Sequence, residues 1–216
     1  IKGPNIKPFK IVESDNYCIF PYDDGSRLSV PMKDLVDKND LLLRYFIDNK
    51  QLILNQSARS RDISMGDDFY SLSKVGNYTF TQYKVVFRDN TTMCASVLHE
   101  VETPWGERIM PVCAKHAPYI SMDKENNPIS EDEAYYISGI LNTEIVNQYF
   151  KFTYSERSYS INFSIKMPKF DKTNMDHLTL SKIAREAEGV NSEKEIDKLR
   201  KILDETYLKI CGYVNH

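Results

Sequence analysis

The sequence predicts an α+β fold, in which a curved mixed or antiparallel sheet packs against helices and a helical hairpin ends the chain. Three observations carry this prediction: short strand-like runs in the middle of the chain, Ser-x-x-Glu capping patterns at Ser130–Glu133 and Ser192–Glu195, and a C-terminal fifth with helical patterning. We expect residues 1–171 to form an α/β domain and residues 172–216 to form a helical segment packed on it. The 216 residues, 41% of them hydrophobic, are enough for a real core.

The N-terminal third alternates between extended and helical patterns. Tyr17–Phe20 is predicted as a strand, which Pro21 and the turn Asp23–Gly25 end. The apolar run Leu41–Leu54 predicts one long helix that is packed on more than one side. Residues 55–82 are polar and irregular, and a loop of that length is often functional.

The middle of the chain is predicted to hold the sheet. Four strands are expected, at residues 83–88, 93–98, 108–113 and 119–121. A helix follows the capping pattern at Ser130, and a second helix carries Ile145, Val146 and Tyr149. The segment 159–166 alternates strictly between apolar and polar residues, which predicts a strand that ends before Pro168.

The C-terminal residues predict two helices. Met175–Glu188 forms the first and stops at Gly189, and the second follows the Ser192–Glu195 capping pattern. Its apolar residues share one face at near-heptad spacing; they are Ile196, Leu199, Leu203 and Ile210. We expect a hairpin packed on itself or on the sheet, and the alternative is a partner interface such as a homodimer through these helices.

The composition narrows the classes of function. The four cysteines are scattered without a Cys-x-x-Cys pair, which favours a reducing cytoplasm, and no apolar run approaches the roughly 20 residues that span a bilayer. The four histidines have no metal-ligand spacing, and GxSxG, P-loop and GxGxxG motifs are missing from the sequence. We therefore predict no catalytic residue, metal or cofactor in this chain. The net charge of −3 argues against a simple nucleic-acid binder, although a local basic face would suffice.

Basic and amide side chains supply the candidate DNA contacts. Arginine and lysine neutralise phosphates, and arginine and asparagine can also read base edges. Side chains of these types occur in the long polar loop, along the strand at 83–88 and around the segment 159–166. The candidates are Arg59, Arg61, Lys84, Arg88, Arg157, Asn162 and Lys166. Lys84 and Arg88 are expected on the polar side of one strand, and the alternative for the whole set is an ordinary solvated face.

Four stretches, in order along nearly the whole chain, resemble a known family. They are residues 1–9, the strand at 83–88, residues 132–146, which include Leu-Asn-Thr, and residues 157–171. The fourth stretch is followed by a helix that begins at Asn174–His177. Together they are similar to the target-recognition, or specificity, domain of N6-adenine DNA methyltransferases, including fused type IIG restriction–modification enzymes. Type I specificity subunits are related. One departure is Thr143, where the family often has serine.

The resemblance implies how such a chain works. The domain would face double-stranded DNA across a cleft from a linked methyltransferase domain, which would hold S-adenosylmethionine and an Asn-Pro-Pro-Tyr motif. Neither that motif nor a glycine-rich cofactor loop occurs in this sequence. The Asn127-Pro128 pair is followed by Ile129-Ser130, and it is predicted as a turn before the capped helix.

We therefore expect a non-catalytic DNA sequence-recognition domain from the C-terminal part of an adenine-specific DNA methyltransferase or fused restriction–modification enzyme. The longer enzyme would methylate adenine site-specifically and could also be an endonuclease. The chain begins at Ile1 in what reads as the interior of a longer protein. The alternative is a protein-interaction or structural module that uses the C-terminal helices. A nuclease is disfavoured because no metal-binding carboxylate pattern is visible.

Overall fold

The chain divides into two compact units. The computed structural model describes residues 1–12, 16–55, 68–88, 92–114, 116–153 and 164–213. Contacts group Ile1–Ser14 with Gln82–His216 in a larger unit, and Asp15–Thr81 forms a smaller one. The contacts therefore do not divide the chain at residue 171, because the C-terminal helices belong to the larger unit. The α+β prediction is confirmed.

The larger unit contains short antiparallel sheets. Its strands are β1 (Ile6–Lys7), β2 (Lys10–Ile11), β3 (Lys84–Phe87), β4 (Ala95–Leu98), β5 (Val101–Glu102), β6 (Arg108–Ile109) and β7 (Tyr119–Ile120). β3 lies between β4 and β7 in the largest sheet, where Val85 pairs with both Val97 and Ile120. β1 with β2 and β5 with β6 form two-stranded hairpins. The four strands predicted in the middle of the chain are confirmed, with shorter bounds.

The larger unit also contains four described helices. They are α4 (Glu131–Leu141), α5 (Glu144–Thr153), α6 (Met175–Glu188) and α7 (Glu193–Ile210). α4 packs against this sheet, and the other three pack against helices. The Ser130 hydroxyl accepts a hydrogen bond from the Glu133 amide at 3.2 Å, so the predicted N-cap of α4 is confirmed. The predicted cap at Ser192 is wrong, because its side chain makes no capping hydrogen bond. α6 has the predicted bounds and ends at Gly189.

The main core lies between the sheet and α4, α6 and α7. The side chains of α4 are buried from Ala134 to Leu141, since this helix has neighbours on several sides. Leu203 of α7 is fully buried, and Ile196, Leu199 and Ile210 pack half-buried against the same core. The near-heptad face therefore packs within the chain, which confirms the predicted helical hairpin.

The smaller unit is helical. It contains α1 (Met32–Lys38), α2 (Asp40–Asp48), α3 (Lys50–Leu54) and a 3-10 turn at Asn77–Phe80. Its core is small, and at the centre the rings of Phe46 and Tyr70 stack with centroids 4.3 Å apart. Tyr70 comes from the segment that was expected to be an irregular loop, of which residues 56–67 lie outside the described part of the chain.

Three local predictions are wrong. Tyr17–Phe20 is irregular and largely exposed, so no burial favours a strand there. The helix expected over Leu41–Leu54 breaks at Asn49, and it is packed on one side only, with Leu41 77% exposed. Residues 164–166 of the predicted alternating strand are not in a strand, and residues 159–163 lie outside the described chain.

Candidate nucleic-acid interface

Four of the seven candidate DNA contacts lie outside the described residues. They are Arg59, Arg61, Arg157 and Asn162. The other three, Lys84, Arg88 and Lys166, all belong to the larger unit, and each has a different environment.

Lys84 does not lie on a solvated side of its strand, so that expectation is wrong. β3 is the central strand of its sheet, and apolar clusters cover both faces, one containing Val85 and Phe87 and the other containing Val86. Only 2% of Lys84 is exposed. Burial disfavours the charged ammonium and lowers its pKa to about 8.

Arg88 ends the same strand in a half-buried position, and its backbone N–H donates to the Cys94 carbonyl at 3.1 Å. Burial raises the pKa of the Cys94 thiol to about 11, and the charges of Arg88, Lys7 and Arg200 oppose that rise. These three cations therefore surround one buried thiol. Sequence reasoning found Arg88 but missed the other two, because β1, β3 and α7 are far apart along the chain.

Lys166 stabilises the end of α7. Its ammonium donates to the Cys211 carbonyl at 2.5 Å and lies 5.3 Å from the Tyr213 ring. The Tyr207 hydroxyl donates to the Lys166 carbonyl at 2.7 Å. A cation at a helix C-terminus interacts favourably with the last carbonyl groups. Lys166 therefore has a structural role here, whether or not it also contacts a ligand.

The stretches that carry the family resemblance meet in the larger unit. The Phe9 amide and the Asn142 side-chain amide both donate to the Ala95 carbonyl, at 2.9 and 2.7 Å. The Tyr136 hydroxyl donates to the Pro168 carbonyl at 3.0 Å. Strand β3 pairs with β4, which contains Ala95. Parts of all four stretches are thus joined through one sheet and one helix.

The segment after Pro168 is also fixed by hydrogen bonds. The Asp171 backbone N–H donates to Nδ1 of His177, at 3.0 Å. His177 is buried at the start of α6, and burial lowers its pKa, which suits the neutral ring that accepts this bond. The Asn174 side chain caps the same helix by accepting from the amides of Asp176 and His177.

A second polar group joins the end of β4 to two helices. The Tyr135 hydroxyl donates to a Glu188 carboxylate oxygen at 2.5 Å and lies 3.1 Å from Nε2 of His99. That nitrogen lies 3.0 Å from the other Glu188 oxygen. The hydrogen bond that the His99 ring donates to the Glu188 carboxylate raises the pKa of His99, because this contact favours the charged imidazolium.

The Asn127-Pro128 pair forms a turn, as predicted. The Asn127 amide and side chain both donate to the Asp123 carboxylate, at 2.8 and 3.1 Å, and Pro128 bridges to Met122. Backbone and side-chain donors lower the pKa of Asp123 to about 2. With its amide side chain used in the turn, Asn127 does not fit the role of a catalytic asparagine that binds an adenine in a cofactor domain.

Metal-binding groups and membrane-spanning helices are both missing from the described residues. There, no group of three or more His, Cys, Asp or Glu side chains is placed to hold a metal ion. Within the same part of the chain, no helix combines the length and apolar character needed to cross a membrane.

The sequence matches no protein-family model and no curated protein. The resemblance to target-recognition domains therefore rests on the four sequence stretches.

Proposed function

We propose that this chain is the DNA sequence-recognition domain of an adenine-specific DNA methyltransferase or a fused restriction–modification enzyme, and that it is non-catalytic by itself. One observation supports this most: stretches of resemblance that are far apart in sequence pack into a single unit. Phe9 and Asn142 are 133 positions apart, yet both bind the Ala95 carbonyl.

In the proposed enzyme, the linked domain and this chain have separate tasks. A linked methyltransferase domain would bind S-adenosylmethionine and transfer its methyl group to adenine, and this chain would select the duplex sequence in which that adenine lies. Basic side chains would contact phosphates and fix the register, and polar side chains would read base edges. The four cysteines are unpaired, which suits a reducing cytoplasm.

The acidic net charge does not oppose this role, because DNA meets a local surface. Lys7, Lys10 and Arg200 line one cleft although the chain as a whole carries a charge of −3. The alternative of a partner-binding helix has less support. The apolar face proposed for it includes Leu203, which is buried in the core of its own unit.

The test begins with the reading frame that contains this chain. We expect it to encode a glycine-rich cofactor loop and an Asn-Pro-Pro-Tyr motif. The full-length protein should then transfer methyl groups from labelled S-adenosylmethionine to adenine N6 in one sequence context, mapped by methylation-sensitive sequencing. A reading frame without these motifs, or a full-length protein that leaves every adenine unmodified, would contradict the proposal.

The candidate contacts are tested in the same assay. Arg59→Ala and Arg61→Ala should reduce methylation at the target site, with Lys182→Ala as a matched loss of one exposed charge. Lys182 is exposed and forms an ion pair with Glu186 one turn further along its own helix, at 3.9 Å. Normal methylation by both arginine variants at every salt concentration would show that these residues are not the contacts.

A further inference from the structure

A basic cleft lies where the β1–β2 hairpin meets the start of α7. Its volume is about 430 Å³. The residues that line it come from the hairpin, from the α6–α7 connection and from the first turns of α7. They are Lys7, Pro8, Lys10, Val190, Asn191, Glu193, Ile196, Asp197 and Arg200.

The hairpin holds two lysines opposite each other. Lys7 and Lys10 are direct Cα partners across the tight turn. Phe9 in that turn has a φ of 61°, its amide donates to the Ala95 carbonyl, and its ring is buried, as is Ile6. The turn is therefore anchored to the core and cannot easily separate the two charges. Like charges directly across a strand pair are destabilising, and a bound anion removes that repulsion.

Arg200 supplies the opposite wall. Its side chain is 23% exposed, and its Nε is buried without a hydrogen-bond partner among the described residues. Its Nη1 donates to Oδ1 of Asp197 on the same helix at 3.4 Å, a longer distance than that of a strong charge-assisted hydrogen bond. The guanidinium therefore has unused donors, and its forked geometry suits a phosphate.

The carboxylates in the cleft do not cancel its positive charge. Lys7, Lys10 and Arg200 face Glu193 and Asp197, which leaves one net positive charge among the lining residues. Outside the lining, the cation Arg88 and the carboxylate Asp204 act in opposite directions. The Lys10 ammonium already donates to the Asn191 side chain at 2.8 Å, which orients it along the cleft wall.

We propose that this cleft binds a phosphate group, and that its source is the backbone of the DNA that the chain recognises. Lys7 and Lys10 would neutralise the phosphate from the hairpin side, and Arg200 would donate to its oxygens from α7. The contact would position the duplex and carry no base specificity. The choice of DNA as the source depends on the function proposed above, whereas phosphate binding by the cleft does not.

The experiment measures DNA binding by fluorescence anisotropy over a range of salt concentrations, with the full chain and with the full-length protein. The variants are the double substitution Lys7→Gln/Lys10→Gln and, separately, Arg200→Gln. Each lost phosphate contact should lower the slope of log K against log salt by roughly 0.9. We expect weaker binding by about tenfold for the double variant, equally for target and unrelated duplexes. Lys182→Gln/Lys209→Gln, outside the cleft, is the control, and thermal melts check folding.

A second measurement distinguishes free phosphate from the DNA backbone as the ligand of the cleft. Inorganic phosphate is titrated into the labelled chain, and amide NMR shifts are followed at Lys7, Lys10 and Arg200. Saturable shifts that the double variant abolishes, together with the reduced salt slope, support the proposal. Shifts without any DNA binding would leave a phosphate site but overturn DNA as its source, and with it the proposed function. Unchanged DNA binding and methylation in both variants would overturn the cleft while the proposed function stood.

Discussion

The Asn142 side chain binds both backbone polar groups of Ala95. Its Oδ1 accepts from the Ala95 amide at 3.1 Å, and its Nδ2 donates to the Ala95 carbonyl at 2.7 Å. Asn142 is the C-cap of α4 and is fully buried. It therefore replaces the strand that would otherwise pair with this end of β4, and it joins the helix to the sheet without water.

Asn142→Ala should destabilise the larger unit. The substitution leaves the Ala95 amide buried without its acceptor, which costs about 2 kcal/mol in unfolding free energy. The Ala95 carbonyl keeps its bond from the Phe9 amide. Urea unfolding followed by circular dichroism measures the shift in midpoint at constant slope.

Asn147→Ala is the matched control for that experiment. Asn147 is half-buried in the next helix and donates one side-chain hydrogen bond, to the Thr143 carbonyl at 3.2 Å. Its loss should cost clearly less than the loss of Asn142. Equal losses of unfolding free energy in the two variants would mean that the hydrogen bonds to Ala95 do not stabilise the protein more than the single bond of Asn147.

Gly139→Ala should also destabilise the chain. A Cβ at Gly139 would lie 2.3 Å from Cδ2 of the buried Leu180 and 3.3 Å from Cβ of Ala184, so the Leu180 side chain or helix α6 would have to shift. Overpacking of this kind costs about 1–3 kcal/mol. At Gly189 a Cβ would have no neighbour closer than 3.7 Å. Gly189→Ala should therefore leave the thermal midpoint unchanged or slightly raised, and a similar loss in both variants would contradict close helix packing as the cause.

The sequence predicted regular elements well where local signals were strong. Met175–Glu188 had an N-cap residue at its start and Gly189 after its end, and both bounds agree with the structure. The helix expected over Leu41–Leu54 failed for a tertiary reason. In the structure, only Leu43 and Phe46 of α2 are buried in the smaller unit. The apolar residues of the segment do not show this, so a prediction from hydrophobicity alone overestimated how far the helix is packed.

Candidate site residues were harder to predict. Alternation along β3 suggested that Lys84 was solvated, but a strand with cover on both faces buries every side chain. Lys7, Lys10 and Arg200 had no shared motif, because a hairpin and a helix almost two hundred residues apart bring them to one cleft. Such a site follows from topology, which a single sequence does not specify.

His99 should make stability depend on pH. Its pKa in the folded state is raised by the hydrogen bond that it donates to Glu188, so its contribution is complete below the ordinary value of 6.5 and is lost as pH rises through the higher folded-state pKa. The stability difference between the protein and His99→Gln should therefore be larger at pH 5.5 than at pH 8.5. Urea unfolding at intervals of half a pH unit measures it.

Glu188→Gln removes the cause of that shift. In this background the effect of His99→Gln should vary less over the same pH range, because the carboxylate that accepts the hydrogen bond is gone and only the charge of Glu131 still favours the imidazolium. His177 has a lowered pKa, which gives the opposite trend, but it is present in all four proteins and cancels in the differences. A pH dependence that survived in the Glu188→Gln background would exclude this pair as its source.

Lys84→Met, which introduces an uncharged side chain of similar length, should remove the cost of keeping a buried ammonium charged at pH 7. The folded-state pKa of about 8 lies below the ordinary 10.5, so the unfolded chain binds more protons between these values and the stability of the unsubstituted protein rises with pH. The advantage of Lys84→Met should accordingly shrink from pH 8 to pH 10, whereas that of exposed Lys151→Met should stay near zero. DNA affinity and the slope of log K against log salt should not change in Lys84→Met, since a buried ammonium cannot reach a phosphate. A lower slope would mean that Lys84 contacts DNA and is not buried.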